Sequence, residues 1–146
     1  MKKLNQKGFT LAELLIVVAI IAVLVAIAIP VFGSQLERSR ETTDAANLRS
    51  AYAAATVAVF DSSVVTGTTK GVSAGPVELK QTEDGFKYVK ESIGGVSLQD
   101  SSYSTVFKRG AKVYVNVDIA TGKPTFVTSA TTTDYVSIDP LTGTKS

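Results

Sequence analysis

The sequence predicts an α+β fold, in which a long N-terminal helix packs through its second half on a small antiparallel β-sheet. Three observations predict this fold: an uncharged apolar run near the start, an apolar stripe at helical spacing after it, and alternating apolar residues further along. We divide the 146 residues into a basic start (1–8), a hydrophobic membrane-inserted helix (9–32), the amphipathic second half of that helix (33–60), and a loop with a sheet (61–146).

The composition excludes several classes of function. The sequence has no cysteine and no histidine, which removes disulfides, the common metal ligands, and the usual base of Ser/His and Cys/His catalysis. The 15 Lys and Arg residues nearly balance the 13 Asp and Glu residues, so a net charge of +2 gives no argument for nucleic-acid binding. No recognisable catalytic constellation remains, and we expect neither an enzyme nor a cofactor or metal site.

The apolar run is long enough to cross a membrane. No charged residue occurs from Leu14 to Leu36, and a helix of this length is roughly 34 Å long, more than a bilayer core requires. Lys2, Lys3 and Lys7 precede the run without any acidic residue, so the positive-inside rule keeps the amino end cytoplasmic. We expect a single-pass precursor whose remaining chain lies outside the membrane.

Two simpler interpretations of this start remain open. A secretory signal peptide fits the small residues Ala26 and Ala28, which would place the cut before Ile29. A plain signal anchor would leave Met1 in place. Under either interpretation the rest of the chain is a binding domain, and the first residue of the mature protein distinguishes these cases.

Glu13, at the head of the run, favours a third interpretation. A carboxylate in a membrane helix costs about 2.5 kcal/mol or more at mid-depth and ordinarily has a partner. The next basic residue is Arg38, so we expect the partner of Glu13 to come from elsewhere. A cut between Gly8 and Phe9 would create an α-amino group four residues before Glu13. Within one chain this spacing places the amine and the carboxylate on the same face of the helix. In parallel chains offset by about one turn, the carboxylate of one chain could instead meet the amine of the next.

The sequence KGFTLAE at residues 7–13, followed by the apolar run and Pro30, resembles the N-terminal signature of type IV pilins and pseudopilins. The resemblance implies that a prepilin peptidase cuts after Gly8 and removes the leader 1–8. It also implies that Phe9 becomes N-methylated and that Glu13 pairs with the Phe9 amine of a neighbouring subunit.

The resemblance covers about the first 50 residues, and beyond about residue 60 only the layout is shared. Ala12 departs from the family, which commonly has Ile, Val or Leu there. Many pilins close their last loop with a disulfide, which this chain cannot form, and members without cysteine point to a Gram-positive-style pilin or a pseudopilin. Removal of three leader lysines would leave 12 basic and 13 acidic residues, a net charge of −1.

The resemblance implies a structural subunit of an extracellular type IV pilus that serves adhesion, twitching motility and surface colonisation. The expected partners are further copies of the chain in a helical filament, the prepilin peptidase, the inner-membrane assembly machinery and, before assembly, the membrane. The alternative is a pseudopilin of a type II secretion or DNA-uptake system.

Pro30 and Gly33 interrupt the helix-forming sequence. Proline cannot donate to the carbonyl of Ala26 and glycine is a poor helix former. An ordinary proline kink and a local melting that lets subunits repack during assembly are both consistent with this pair.

The second half of the helix carries an apolar stripe at helical spacing. Its members are Ala45, Leu48, Ala51, Tyr52, Ala55 and Val59. Before this stripe, we expect the charged residues Glu37, Arg38, Arg40 and Glu41 to form a solvated turn.

The remaining sequence predicts a loop, a short helix and an antiparallel meander. The loop covers 61–75, the helix covers 76–93, and the strands cover 103–108, 112–119, 125–129 and 135–138. The pattern Asp-x-x-Thr-Gly occurs at Asp118 and again at Asp139, which predicts two turns capped by aspartate. A calcium site near Asp118, Asp134 and Asp139 is conceivable, because Ca²⁺ binds oxygen ligands.

Overall fold

A single long helix begins the fold. The computed structural model describes residues 8–61, 64–65, 67, 69–130 and 133–145, and in it helix α1 spans Leu11–Val59. The chain divides into two compact units between Leu36 and Glu37. The first unit contains the apolar part of α1, and the second, which we call the head, contains the rest of α1 and every strand described. The three leader lysines lie outside the described residues.

The sheet of the head has four strands in the spatial order β5-β4-β1-β6. Their bounds are β1 Gly71–Glu78, β4 Lys112–Asp118, β5 Pro124–Val127 and β6 Tyr135–Ile138. Strand β4 is antiparallel to both β1 and β5, whereas β6 is parallel to β1. Between β1 and β4 the chain forms a small hairpin of β2 (Ser92–Ile93) and β3 (Val96–Ser97), then a 3₁₀ helix (Ser101–Tyr103).

The core of the head lies between the second part of α1 and the sheet. Most of the predicted helical stripe is buried there, with Leu48, Ala51 and Ala55 fully inaccessible, whereas Tyr52 and Val59 are partly buried against it. It belongs to one apolar cluster with residues of the strands, which include Val72, Ala74, Val113, Val115, Val117, Phe126 and Ile138. Burying a Val, Leu, Ile or Phe side chain contributes about 1.5–3 kcal/mol, so this cluster stabilises the α+β fold that the sequence predicts.

Strand β1 corrects the expectation of a loop over 61–75, because it begins at Gly71 and lies inside the sheet. Its glycines serve close packing. A Cβ atom at Gly71 would lie 2.1 Å from the carbonyl oxygen of Val117, and one at Gly75 would lie 2.7 Å from the ring of Tyr114. Glycine-rich sequence is typical of loops, but here it lets neighbouring strands and tyrosine rings approach the backbone.

The helix predicted over 76–93 is wrong. Pro76 lies in β1, next to an irregularity of register between Ala74 and Val77, and residues 79–91 form no regular element. The apolar residues that suggested a helix are nevertheless buried in the core: Leu79, Phe86, Val89 and Ile93. Gly94 and Gly95 close the β2–β3 hairpin with φ of 56° and 83°, as a two-residue type I′ turn requires.

The strand predicted at 103–108 and the simple meander are also wrong. Asp100 caps the 3₁₀ helix by accepting a hydrogen bond from the Ser102 N–H, and the chain then turns instead of extending. Tyr103 and Phe107 join Phe86 and Phe126 in an aromatic cluster with ring centroids 5.1–5.7 Å apart. Aromatic packing therefore overrides the alternation that suggested a strand.

Candidate assembly site and the carboxylate clamp of the head

The first part of α1 is an apolar surface with no partner in its own unit. From Leu11 to Leu36 every side chain is exposed except Ala28 and Ser34, which are partly exposed. The helix is long and apolar enough, by length and composition, to cross a membrane. A surface of this kind is stable in water only when lipid or other protein covers it.

The helix begins with a capping box made by Thr10 and Glu13. Oε2 of Glu13 accepts hydrogen bonds from the Thr10 N–H at 2.8 Å and from the Thr10 hydroxyl at 2.7 Å. The Thr10 hydroxyl also lies 3.3 Å from the Glu13 N–H, and the carbonyl of Thr10 accepts the Leu14 N–H at 3.3 Å. This reciprocal arrangement satisfies amide groups that the first helical turn leaves without partners.

The capping box adds a partner for Glu13 that the search for a cation did not consider. A threonine three residues earlier supplies two neutral donors. The spacing Thr-x-x-Glu before an apolar run is a known signal for a helix start, and it is present in the sequence. Both bonds described go to the same carboxylate oxygen, Oε2.

Gly8 and Phe9 lie just before the helix and are exposed, with Phe9 at 88%. An exposed segment outside regular structure is the kind of backbone that a protease can bind. Pro30 and Gly33 lie within α1, and a Cβ atom at Gly33 would meet nothing within 4 Å.

In the head, three carboxylates of α1 hold the irregular segment 80–89, and we call Glu37, Glu41 and Asp44 the carboxylate clamp. All three are buried, with exposures of 3%, 0% and 0%. Together they accept the backbone N–H groups of seven residues: Lys80, Gln81, Thr82, Glu83, Lys87, Tyr88 and Val89. Buried charges are stable when they are hydrogen-bonded. The same bonds satisfy backbone N–H groups of the segment, which would donate to backbone carbonyls if the segment formed a helix or a strand.

Each clamp residue holds a different part of the segment. Oδ2 of Asp44 accepts the N–H groups of Lys80 and Gln81 at 2.8 Å each. Oε1 of Glu41 accepts the Lys87 N–H at 2.9 Å, and Oε2 accepts those of the next two residues at 2.7 and 2.9 Å.

Glu37 holds the middle of the segment. Its Oε1 atom accepts the N–H groups of Thr82 at 2.7 Å and Glu83 at 2.9 Å. Its Oε2 atom accepts the Thr82 hydroxyl and lies 3.3 Å from the Arg40 guanidinium.

The clamp residues differ in their protonation behaviour. Burial raises the pKa of Asp44 above its ordinary value, and the N–H groups of Lys80 and Gln81 offset this only in part. Burial also acts upward on the pKa of Glu37, but hydrogen bonds from Thr82, Glu83 and Arg40 outweigh it and lower that pKa.

The clamp corrects the prediction of a solvated charged turn at residues 37–41. Of the four charged residues there, Arg38 is exposed and Arg40 is partly exposed, but Glu37 and Glu41 are buried. A signal was available, because Glu41 precedes Ala45 by four residues and therefore lies on the apolar face. The charge of Glu41 suggested that its side chain is exposed to solvent, whereas its position on the helix indicates that it is buried.

The two Asp-x-x-Thr-Gly turns are confirmed. Oδ1 of Asp118 accepts the N–H of Thr121 at 2.8 Å, and Oδ1 of Asp139 accepts that of Thr142 at 3.1 Å. In both turns the N–H of the final glycine donates to the carbonyl of the aspartate at 2.8 Å. These carboxylates therefore serve the turns.

The third aspartate of the conceivable calcium site has a different partner, because Asp134 pairs with Lys70 at 2.8 Å. Within the described parts of the chain, no group of three or more acidic, cysteine or histidine side chains is placed to hold a metal ion.

The comparisons with known proteins agree with this architecture. Residues 3–29 match the family model described as the prokaryotic N-terminal methylation motif. A type IV major alpha-pilin of Moraxella bovis is 33% identical over 136 residues, which cover 90% of this chain and 82% of that protein.

Two further relatives match over a smaller share of the chain. The type IV narrow pilus major component PilA5 of Thermus thermophilus is 51% identical over 57 residues, 37% of this chain and 49% of that protein. The type IV major pilin protein PilA of Myxococcus xanthus is 52% identical over 50 residues, 34% of this chain and 23% of that protein. No solved structure gives a significant match.

The fold and the N-terminal site define a class of protein that has an exposed apolar helix, a methylation motif that includes the start of this helix, and a small α+β head. The identity to the Moraxella bovis protein extends over nearly the whole chain, head included. The chain belongs to the type IV pilin family.

Proposed function

We propose that this chain is the structural subunit of an extracellular type IV pilus and that it polymerises through the first part of α1. The observation that carries this proposal is the exposed apolar surface from Leu11 to Leu36, most of which lies within the match to the methylation motif at residues 3–29. Covering apolar surface from water contributes about 25 cal/mol per Å². The gain relative to lipid is smaller, so we expect assembly machinery in the inner membrane to extract the subunit.

The precursor is a single-pass membrane protein with its amino end in the cytoplasm. A prepilin peptidase cuts between Gly8 and Phe9, and Phe9 then becomes N-methylated. The leader lysines and the positive-inside rule support this orientation, and the exposed position of Gly8 and Phe9 before the helix supports the cut.

Glu13 registers neighbouring subunits by pairing with the new α-amino group of Phe9 in an adjacent copy. The capping box occupies Oε2 of Glu13, and the other oxygen of the same carboxylate accepts from the neighbour. Pro30 and Gly33 form the section where α1 rearranges when the subunit moves from the bilayer into the filament.

The names of the relatives support a pilus subunit. All three relatives are described as pilins or as a pilus component, and none of those names mentions secretion or DNA uptake, so the pseudopilin alternative is not favoured. The role we propose is structural rather than enzymatic. In that role the head forms the outer surface that serves adhesion and motility.

Mass spectrometry of the first residues of sheared surface filaments tests the proposal. We expect filaments made mainly of this chain, beginning with N-methylated Phe9. A mature chain that begins with Ile29 or Met1, or a chain retained wholly in the envelope without filaments, would contradict it.

A further inference from the structure

We propose that the end of the head that follows the apolar run binds the headgroups of anionic phospholipids while the subunit is still in the membrane. The binding surface consists of Arg38 on α1 and of Lys108 and Arg109 between the 3₁₀ helix and β4, and we call it the basic rim. This inference rests on the proposed function, because it takes the precursor as a membrane protein that later leaves the bilayer.

The charged residues directly after the apolar run are sorted by sign. Glu37 and Glu41 are buried in the head, where their carboxylates accept backbone N–H groups. Between them, Arg38 is exposed and Arg40 is partly exposed. The helix therefore directs its acidic side chains into the head and presents its basic side chains to the surroundings.

A second segment brings two more cations to the same end of the head. Glu37 accepts the N–H groups of residues 82 and 83. The next residue, Asp84, accepts the Arg109 N–H at 2.9 Å. Lys108 and Arg109 therefore lie close to the first turn of α1 in the head, and both are exposed.

The charge that the basic rim exposes is positive. No ion pair within the described residues involves its three side chains. Two other basic side chains at this end pair with glutamates, so their charges cancel. Among the residues described at this end, Asp84 at the surface and the buried Glu41 remain to oppose the three cations.

The position of the basic rim along the chain identifies its partner. Helix α1 continues without a break through the end of the apolar run, so Arg38 follows Leu36 by about 3 Å along the helix axis. The headgroup layer extends roughly 5–8 Å beyond the apolar core of a bilayer on each side. Basic side chains at this depth are attracted by anionic headgroups, and arginine matches the geometry of a phosphate group with paired hydrogen bonds.

Fluorescent reporters at two engineered cysteines test this inference, because the sequence has no native cysteine. T105C lies three residues before Lys108, and A120C lies in the turn between β4 and β5; both positions are exposed. Lys123, in the same turn as A120C, provides the matched control charge. The carbonyl of the preceding glycine accepts the Tyr52 hydroxyl, so this turn lies roughly 22 Å further along α1 than Glu37.

Each labelled full-length precursor is reconstituted into vesicles of phosphatidylcholine, with or without phosphatidylglycerol, that contain a lipid with a spin-labelled headgroup as quencher. We expect the T105C reporter to be quenched about two-fold more strongly in the anionic vesicles, and the A120C reporter to be quenched equally in both. The difference at T105C should disappear in K108Q/R109Q, shrink in R38Q and persist in K123Q. It should also disappear at about 1 M salt.

The unfolding midpoints of K108Q/R109Q and K123Q in detergent should equal that of the unmodified chain, because these side chains are exposed. Equal quenching of T105C in neutral and anionic vesicles would overturn this inference. A difference that both rim variants leave intact, or that K123Q removes equally, would overturn it as well.

A separate measurement distinguishes a failure of the proposed function. Complete extraction of the precursor from membranes by alkaline carbonate would contradict a membrane-inserted subunit. Stable insertion together with quenching that does not depend on lipid charge contradicts only the basic rim.

Discussion

At the scale of single residues, Glu41 shows how a helix can fix a segment that forms neither helix nor strand. Its fully buried carboxylate accepts three consecutive amide groups of residues 87–89. Each such amide would cost about 1–3 kcal/mol if it were buried without a partner. One side chain therefore determines the path of three residues.

We predict that Glu41→Gln destabilises the head. The amide nitrogen of glutamine would face an N–H donor where the glutamate offers an acceptor, so at least one bond is lost and the charge that strengthens the others disappears. We expect a loss of about 1.5–3 kcal/mol, measured by denaturant unfolding of the full chain in detergent.

Glu78→Gln is the matched control for this prediction. Glu78 pairs with Lys80 at 3.6 Å on an exposed surface, and exposed pairs of this kind contribute about 0–1 kcal/mol. Equal losses in the two variants would show that the carboxylate clamp adds nothing beyond surface charge.

The pH dependence of Glu37 provides a second prediction. Its folded pKa is lower than its ordinary value of 4.5, so ionised Glu37 stabilises the fold fully above that value. This contribution disappears as the pH falls through the lowered folded pKa. The difference in unfolding free energy between the unmodified chain and Glu37→Gln should therefore shrink between pH 6 and about pH 3.

Asp44→Asn should show the opposite slope. The folded pKa of Asp44 is raised, so the folded state binds the proton more tightly than the unfolded chain does. The unmodified chain should thus gain stability relative to Asp44→Asn as the pH falls. If the unfolding free energies of the two variants, each relative to the unmodified chain, changed with pH in the same direction, the opposite pKa shifts of Glu37 and Asp44 would be contradicted.

The sequence could reveal the candidate processing residues but not the clamp. Gly8, Phe9 and Glu13 lie within one stretch of six residues, so their signal is local. The clamp depends on backbone amides about 40 residues away from the carboxylates that accept them, and neither side of such a pairing shows in a local pattern. Thr10 is different, because the capping box was readable from its spacing to Glu13.

At the scale of elements, β1 is a strand whose sequence resembles a loop. Two of its glycines lie where a side chain would collide with the neighbouring strand or with a tyrosine ring. The tertiary contact, rather than β-propensity, selects these residues.

We predict that Gly71→Ala disrupts the sheet. Its Cβ atom would meet the carbonyl oxygen of Val117 at 2.1 Å and the ring of Tyr135 at 2.6 Å. Backbone atoms cannot move aside as a flexible side chain can, so we expect a loss of about 3 kcal/mol or more, measured as a lower thermal midpoint. Gly67→Ala, where nothing lies within 4 Å, should leave the midpoint nearly unchanged.

Elements with regular periodicity were predictable, and elements shaped by distant contacts were not. Strand β4 alternates along its length and begins where the sequence predicts, and α1 lies within a residue or two of its expected ends. The segment 79–91 has helical spacing of apolar residues, but Gly85, with φ of 80°, and the clamp both oppose a helix there. The parallel pairing of β6 with β1 depends on topology that no local pattern encodes.

At the scale of the whole molecule, the role of Glu13 in the helix start can be separated from the role in the filament that we propose for it. We predict that Glu13→Ala leaves cleavage after Gly8 intact but strongly lowers the filament yield, because the carboxylate that pairs with Phe9 of a neighbour is lost. The yield of sheared filaments and the mass of the processed chain measure these two outcomes.

Thr10→Ala distinguishes the two roles. This variant breaks the capping box, which costs about 0.5–2 kcal/mol at the helix start, but it keeps the carboxylate of Glu13. Filament yield should fall much less than in Glu13→Ala. Equal defects in the two variants would assign the effect to the helix start and remove the argument for pairing between subunits.

No disulfide fastens the carboxyl end of the head, because the sequence has no cysteine. The turn at Asp139 and the bridge between Ile138 and Lys145 hold it to the sheet, and the sequence has no sulfur atom that could be oxidised or reduced there. Reduction by thiols therefore cannot break a disulfide at this end, and oxidation cannot form one. A fibre built from this chain should therefore mature without a disulfide-forming oxidoreductase and should not lose the fastening of this end to a reductant.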